Sequence, residues 1–196
     1  MGRPRLISNE RLVETARTLF LERGAAMPTS AIAEELGISE ATIYKRFGTK
    51  ERLFNAAMGL PACEFALAWP GWAGRATPAE NLAEMGRALV GHFRELLPRI
   101  MMLCTNPGGE PWRALHDSEN PPPVMLMRAV ESYLNAEIAL GRVAPCDAQT
   151  AGRMLISAVH NFAFFEAAGL SSMVDRDADA LIDAIAETLW KGLEPR

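Results

Sequence analysis

Apolar residues recur at helical spacing along most of this chain. Leu12, Ala16, Leu19 and Phe20 form a first stripe; Ile7 is placed to staple against Leu12 across a Ser8 cap, and Gly24 closes the segment. Ile32, Ala33 and Leu36 mark one face of a second helix. Gly37 should end it, because glycine takes the left-handed C′ conformation without a Cβ penalty. Ser39 is placed to cap a third helix through the N–H of Ala41 or Thr42, and Ile43 and Phe47, four apart, hold that helix to a core. Thr42, Tyr44, Lys45 and Arg46 between them are then free to face outward as donors and cations. Thr49 is the expected cap of a fourth helix carrying Leu53, Phe54, Ala57 and Met58, which Pro61 kinks or ends.

Further on, Trp69-Pro70-Gly71-Trp72 reads as a break. Thr77-Pro78-Ala79-Glu80 reads as a capping box with proline at the first helical position. The helix it opens carries Leu82, Met85, Leu89 and Phe93 and is expected to end near Pro98, followed by a short apolar helix over 99–104. Prolines and glycines over 106–111 and Pro121 to Pro123 mark loops. A helix from Val124 runs through Met127, Val130, Leu134 and Ile138 to a Gly141 cap. Asp147 opens another with Met154, Leu155, Ala158, Val159, Phe162 and Phe165. Asp177 or Asp179 opens the last, with Leu181, Ile182, Ile185, Leu189 and Leu193. No strand-like alternation of useful length and no internal repeat interrupts this, so the expected class is all-α, with about nine helices, three of them in an N-terminal head.

The string from Thr29 to Lys50, TSAIAEELGISEATIYKRFGTK, is more specific than its periodicity. Its Ile32-Ala33, Gly37-Ile38-Ser39, Thr42-Ile43-Tyr44, Phe47 and Lys50 resemble the helix-turn-helix of TetR-family transcriptional regulators, where such residues recur at these spacings. Ala25 and Met27 depart from the aromatic residue and the Ser or Thr cap common there. The resemblance is specific over residues 8–55 and architectural beyond. It implies a helix-turn-helix DNA-binding domain over 1–55, with the motif at about 28–47, and a helical effector-binding and dimerisation domain over 56–196. It also implies a double-stranded DNA operator, a small-molecule effector and a homodimer.

On the same resemblance, the helix from Glu40 to Arg46 enters the major groove. Ser39, Thr42, Tyr44 and Lys50 match positions that typically hold phosphates, and Lys45 is the best cation for a base edge or a phosphate. Ala41 stands where a small residue permits close approach, with a methyl that can touch a thymine methyl. Glu40 departs from the common basic or neutral residue; it either accepts from a cytosine amino group or only helps the helix N-terminus. Arg3 and Arg5 form either an arm for a minor groove or a disordered basic tail.

Charge distribution agrees with DNA at the head. The net charge is −4, but residues 1–55 hold nine Lys/Arg against seven Asp/Glu, while residues 56–196 hold eleven against seventeen. A slightly positive end on an acidic body orients the molecule toward DNA. Lys50 and Arg52 in the first turn of a helix have the wrong sign for its macrodipole, which makes sense if an anion sits there. Cys63, Cys104 and Cys146 suggest neither a disulfide framework nor a CxxC site. No apolar h-region follows Met1-Gly2-Arg3-Pro4-Arg5. The best apolar segment, Leu155 to Phe165, contains His160 and Asn161 and is too short for a bilayer. A soluble cytoplasmic protein without membrane contact is expected.

No catalytic residue, metal or cofactor is expected. His92, His116 and His160 are spread apart, and the positions three before them hold Leu89, Arg113 and Ser157, not the Glu of a di-iron bundle. HExxH, Walker A and GxSxG strings are missing. Phe65, Trp69, Leu89, Phe93, Met101, Met102, Met125, His160 and Phe162 are either core or the lining of a mostly apolar effector pocket. Leu155, Ala158, Val159, Phe162, Leu181, Ile185 and Leu189 on the last two helices either form a two-fold interface or face only their own core. The sequence therefore reads as a sequence-specific DNA-binding regulator, a repressor released from a palindromic operator by a small hydrophobic effector. The alternative is a helical small-molecule-binding protein without specific operator binding.

Overall fold

The computed structural model describes residues 7–106, 121–173 and 177–195, all helix and connecting loop, with no strand among them. The α-helices of the described residues are α1 (Asn9–Arg23), α2 (Thr29–Leu36), α3 (Glu40–Phe47), α4 (Lys50–Ala57), α5 (Pro78–Thr105), α6 (Pro122–Ala139), α7 (Ala148–Ala167) and α8 (Ala178–Leu193). Two 3₁₀ segments, Glu64–Trp72 and Ser171–Met173, complete the order. The chain divides into two compact units. Among the described residues the first comprises 7–60 and 98–106, and the second the remainder.

Within the first unit the local rules hold at most helix ends. Ser8 Oγ accepts from Arg11 N–H at 3.2 Å and Thr49 Oγ1 from Arg52 N–H at 3.1 Å. Gly37 is left-handed, with φ 64°, and Ile38 N–H reaches back to the Ala33 carbonyl at 3.0 Å, closing α2 with a Schellman turn. Leu12, Ala16, Phe20, Ile32, Ile43, Leu53, Phe54 and Met58 make its core, with Phe20 and Phe54 edge to face at 5.3 Å. Leu103 is buried in this core and Met102 packs against it. Arg17 Nε donates to Ala57 O at 2.7 Å and Arg99 Nη1 to Gly59 O at 2.9 Å, so two guanidinium groups satisfy carbonyls at and just past the end of α4. Pro61 thus follows a helix that has already ended.

In the second unit the capping box forms as read: Glu80 N–H donates to Thr77 Oγ1 at 3.2 Å and Thr77 N–H to Glu80 Oε2 at 2.9 Å. Asp147 and Asp177 cap α7 and α8 through Thr150 and Ala180 N–H. The core joins Trp69, Leu82, Met85, Leu89, Phe93, Leu126, Val130, Tyr133, Leu155, Val159 and Ile182.

Two elements differ from the sequence reading. α5 does not stop at Pro98 but runs through it to Thr105. A helix-interior proline removes a backbone bond and costs about 3 kcal/mol. Leu97 and Leu103 on either side are each buried in a core, and burial of such a side chain contributes about 1.5–3 kcal/mol apiece. The segment read as a break is instead a 3₁₀ helix over Glu64–Trp72, whose Ala66 and Trp69 are buried.

Candidate nucleic-acid interface

α3 is anchored on one side and open on the other. Ile43 is buried and Phe47 packs on the head core. Ala41, Tyr44 and Lys45, at i, i+3 and i+4, are exposed, and Glu40 and Thr42 are half-buried beside them. Ser39 is exposed at the N-terminal end. Its side chain does not cap the helix backbone as expected; its hydroxyl instead pairs with the Thr42 hydroxyl at 2.9 Å. The two hydroxyls still sit together at the end of α3 whose free N–H groups favour an anion.

Lys50 opens α4, half-buried in the first turn that Thr49 caps. With Ala25, Glu51, Phe54 and Asn106 it lines an open depression of about 320 Å³. Arg46 does not face outward with its neighbours. Its Nη1 donates to the Ile7 carbonyl at 2.5 Å and lies 3.4 Å from Asn9 Oδ1, so this cation ties α3 to the start of α1. Arg3 and Arg5 lie outside the described residues.

Thr29 is the residue that sequence reading missed. It is 2% exposed at the start of α2, and its hydroxyl donates to Glu40 Oε1 and lies 3.0 Å from Tyr44 Oη. Neither role read for Glu40, cytosine acceptor or helix-start charge, includes this contact. Helical periodicity cannot signal it, because the residues lie on different helices across the turn.

In the second unit a run of rings passes through the residues read as a pocket. Trp69 contacts Phe65 at 5.6 Å, Phe65 contacts His92 at 5.6 Å, His92 contacts Phe93 at 5.7 Å, and Phe93 meets His160 edge to face at 5.1 Å. Leu89 and Phe162 are buried in the same core and Met125 packs on it, while His160 and Phe65 remain exposed. Met102 does not join this set, since it packs on the core of the first unit. Met101, half-buried, also falls in the first unit's stretch of α5.

Of the stripe read as either a two-fold interface or part of its own core, Leu155, Val159 and Phe162 are buried in the core of the second unit. Leu181, Ile185 and Leu189 are only partly covered by that core, and Ala158 is half-buried. The outer face of α7 instead carries Met154, Ala158, Asn161 and Phe165 at helical spacing, with Met154 57% exposed.

Other chemistry is sparse. Among the described residues no group of three or more His, Cys, Asp or Glu could hold a metal ion, and no helix is long and apolar enough to cross a membrane. Burial pushes the Cys63 and Cys146 thiols up, with Glu64 and Asp147 adding to the effect, which disfavours a reactive thiolate at both.

Residues 12–57 match the family model described as bacterial regulatory proteins, tetR family. No curated protein matches the chain in sequence. Solved structures do match in fold. A putative transcriptional regulator from Saccharomonospora viridis, in complex with choline, superposes with a TM-score of 0.68 at 18% identity, over 95% of this chain and 97% of the other. A putative TetR-family regulator from Mesorhizobium loti gives 0.61 at 19% identity, over 94% and 95%. The transcriptional regulator FadR from Bacillus subtilis, in complex with stearoyl-CoA, gives 0.63 at 18% identity, over 94% and 99%.

Proposed function

We propose that this chain, whose residues 12–57 match the tetR-family model, is a TetR-family repressor that binds a palindromic operator as a homodimer and is released by a small hydrophobic effector. The observation that carries the reading is the open face of α3. Ala41, Tyr44 and Lys45 project from a helix that Ile43 and Phe47 fix to the core, and Ser39, Thr42 and Lys50 offer donors around it. Backbone-directed donors position the duplex, and side chains at the middle of the face read base edges. Lys45 and Ala41 have the reading roles; Ser39, Thr42 and Lys50 hold phosphates. Arg3 and Arg5 extend the contact into the adjacent minor groove.

The effector site is the body's ring run, Phe65, Trp69, Phe93 and His160, with Leu89, Met125 and Phe162 around it. Two of the structures similar in fold are complexes with choline and with stearoyl-CoA, and the rings here suit contact with a small apolar or aromatic molecule. A single short recognition helix reads only a few base pairs, so specificity calls for two copies on a two-fold site. The partner surface is the open face of α7 with the uncovered edges of Leu181, Ile185 and Leu189 on α8.

The test is selection of bound duplexes from a random-sequence pool, followed by a salt titration on the recovered fragment. A palindromic consensus is expected. Lys50→Ala should weaken all recovered sites together and flatten the log–log salt slope by about one unit, while Lys45→Ala also changes preference at one base pair. If nothing is enriched at moderate salt, the chain is a small-molecule-binding protein without a specific operator.

A further inference from the structure

We propose that Glu40 lowers the DNA affinity of this head by setting the direction of a hydrogen-bond chain through Thr29, so that the Tyr44 hydroxyl proton is committed to the protein and withheld from phosphate. The inference rests on α3 being the DNA-reading helix.

The argument is a count of protons. A threonine hydroxyl has one proton, and a carboxylate offers only acceptors. Thr29 donates its proton to Glu40 Oε1. Thr29 is almost fully buried, so water does not supply another. At the 3.0 Å contact between Thr29 Oγ1 and Tyr44 Oη, the donor must then be Tyr44. The chain runs outward-in: Tyr44 to Thr29 to Glu40. Tyr44 is 42% exposed on the open face of α3, but what its oxygen presents there is lone pairs, which a phosphate oxygen repels.

For Tyr44 to donate to a phosphate, its proton must swing away from Thr29. Two oxygens 3.0 Å apart would then face each other with no proton between them, at a buried position where an unmade bond is costly. The phosphate bond is gained at the loss of another. A glutamine at position 40 removes this conflict. Its amide can donate to Thr29 Oγ1, Thr29 can donate to Tyr44 Oη, and Tyr44 can donate to phosphate, with every oxygen satisfied. Glu40 acts on DNA through Thr29 and Tyr44; Thr29 is a positioning residue that touches no DNA itself.

Removing a negative charge near DNA strengthens binding whatever the route, so a single substitution is not decisive. The decisive quantity is the coupling between positions 40 and 44. Affinities for a duplex recovered by the full-length wild-type protein from a random pool would be measured for Glu40→Gln, Tyr44→Phe and the double variant. Glu40→Gln should strengthen binding, and Tyr44→Phe should cost roughly tenfold more in the Glu40→Gln background than in the wild type, the scale of one hydrogen bond to a charged group. Thr29→Val should abolish this coupling and Thr29→Ser, which keeps the hydroxyl, should retain it, with thermal melts reporting that each variant is folded. Effects of the Glu40 and Tyr44 changes that multiply to within about twofold would overturn the proposal and leave Glu40 as a plain charge. Coupling that survives Thr29→Val would overturn the route through Thr29. If the wild type enriches no duplex at all, the DNA-binding reading falls first and the proposal with it.

Discussion

Glu137 is fully buried in the body, and its Oε2 lies 3.2 Å from Nε of Arg142, just past the end of the same helix. Its other oxygen accepts from Gly74 N–H at 3.2 Å, and Arg142 also donates to the Ala76 carbonyl. One carboxylate and one guanidinium therefore fasten the loop between the 3₁₀ segment and α5 onto the end of α6. Asn81 Nδ2 donates to Tyr133 Oη at 3.0 Å in the same layer, where burial pushes the Tyr133 phenol up.

Removing one partner should cost more than removing the charge of the other. Arg142→Met leaves a buried carboxylate without its cation and should destabilise the body by roughly 3 kcal/mol, the low end for broken buried pairs because Arg142 is 31% exposed. Glu137→Gln keeps an acceptor for Gly74 N–H and should cost about 1 kcal/mol. Urea unfolding followed by tryptophan fluorescence would measure both; equal losses would mean that the pair acts only through packing.

A second prediction concerns pH. Arg94 reaches Glu166 with two hydrogen bonds of 2.8 Å, joining α5 to α7. Those bonds hold the Glu166 carboxyl below the usual glutamate range, against an opposing contribution from burial. A depressed folded value means that the contribution is complete above about pH 5, where glutamate is ionised in the unfolded chain as well. It is lost as pH falls through the folded value. Arg94 is half exposed, so the pair contributes only about 0.5–1 kcal/mol. Wild type should be more stable than Glu166→Gln by that amount at pH 7, with the gap closing as pH falls through the folded value. A gap that persists in acid would assign the effect to something other than ionisation.

The caps at Ser8, Thr49, Thr77 and Asp147 were legible, and that at Asp177 as one of two choices with Asp179, because each is a contact across three residues, and local spacing is what a sequence displays. The open face of α3 was legible for the same reason: Ile43 and Phe47 leave Tyr44 and Lys45 outside. Contacts between helices were not. Arg46 was read as outward-facing but finds the Ile7 carbonyl, and Ser39 finds the Thr42 hydroxyl in place of a backbone N–H. The Thr29–Glu40–Tyr44 chain crosses a turn that no periodicity spans. Leu155, Val159 and Phe162 had the spacing of an interface, but a stripe shows only that something covers it. Here the cover is the chain's own core.

Gly86 supplies a third prediction, about packing. A Cβ built there would lie 2.7 Å from Cγ2 of Ile182, so α5 and α8 approach through the missing side chain. Alanine is the better helix former by about 1 kcal/mol, and on propensity alone Gly86→Ala should stabilise. The methyl on Ile182 is fixed to Cβ and cannot swing aside, so overpacking should win and the variant should lose about 1–2 kcal/mol net. Ile182→Ala in the same chain opens that space, and the two losses should then be less than additive in thermal melts. Stabilisation by Gly86→Ala alone would show that the helices move apart freely.

The last prediction separates a partner surface from a core. Two copies meeting along α7 would bury the face of Met154, Ala158, Asn161 and Phe165, whereas Leu155 and Val159, one position on from Met154 and Ala158, already face inward. Charges placed on the two faces should therefore act differently. Ala158→Glu puts an unpaired carboxylate at the seam of an isologous contact, where each copy presents it to the other, and should dissociate the dimer while the monomer stays folded. Leu155→Glu puts the same group into the body's own core and should unfold that unit at any concentration. Sedimentation of both variants beside wild type, with circular dichroism as the check on folding, distinguishes them. A dimer that survives Ala158→Glu unweakened would place the partner on another face.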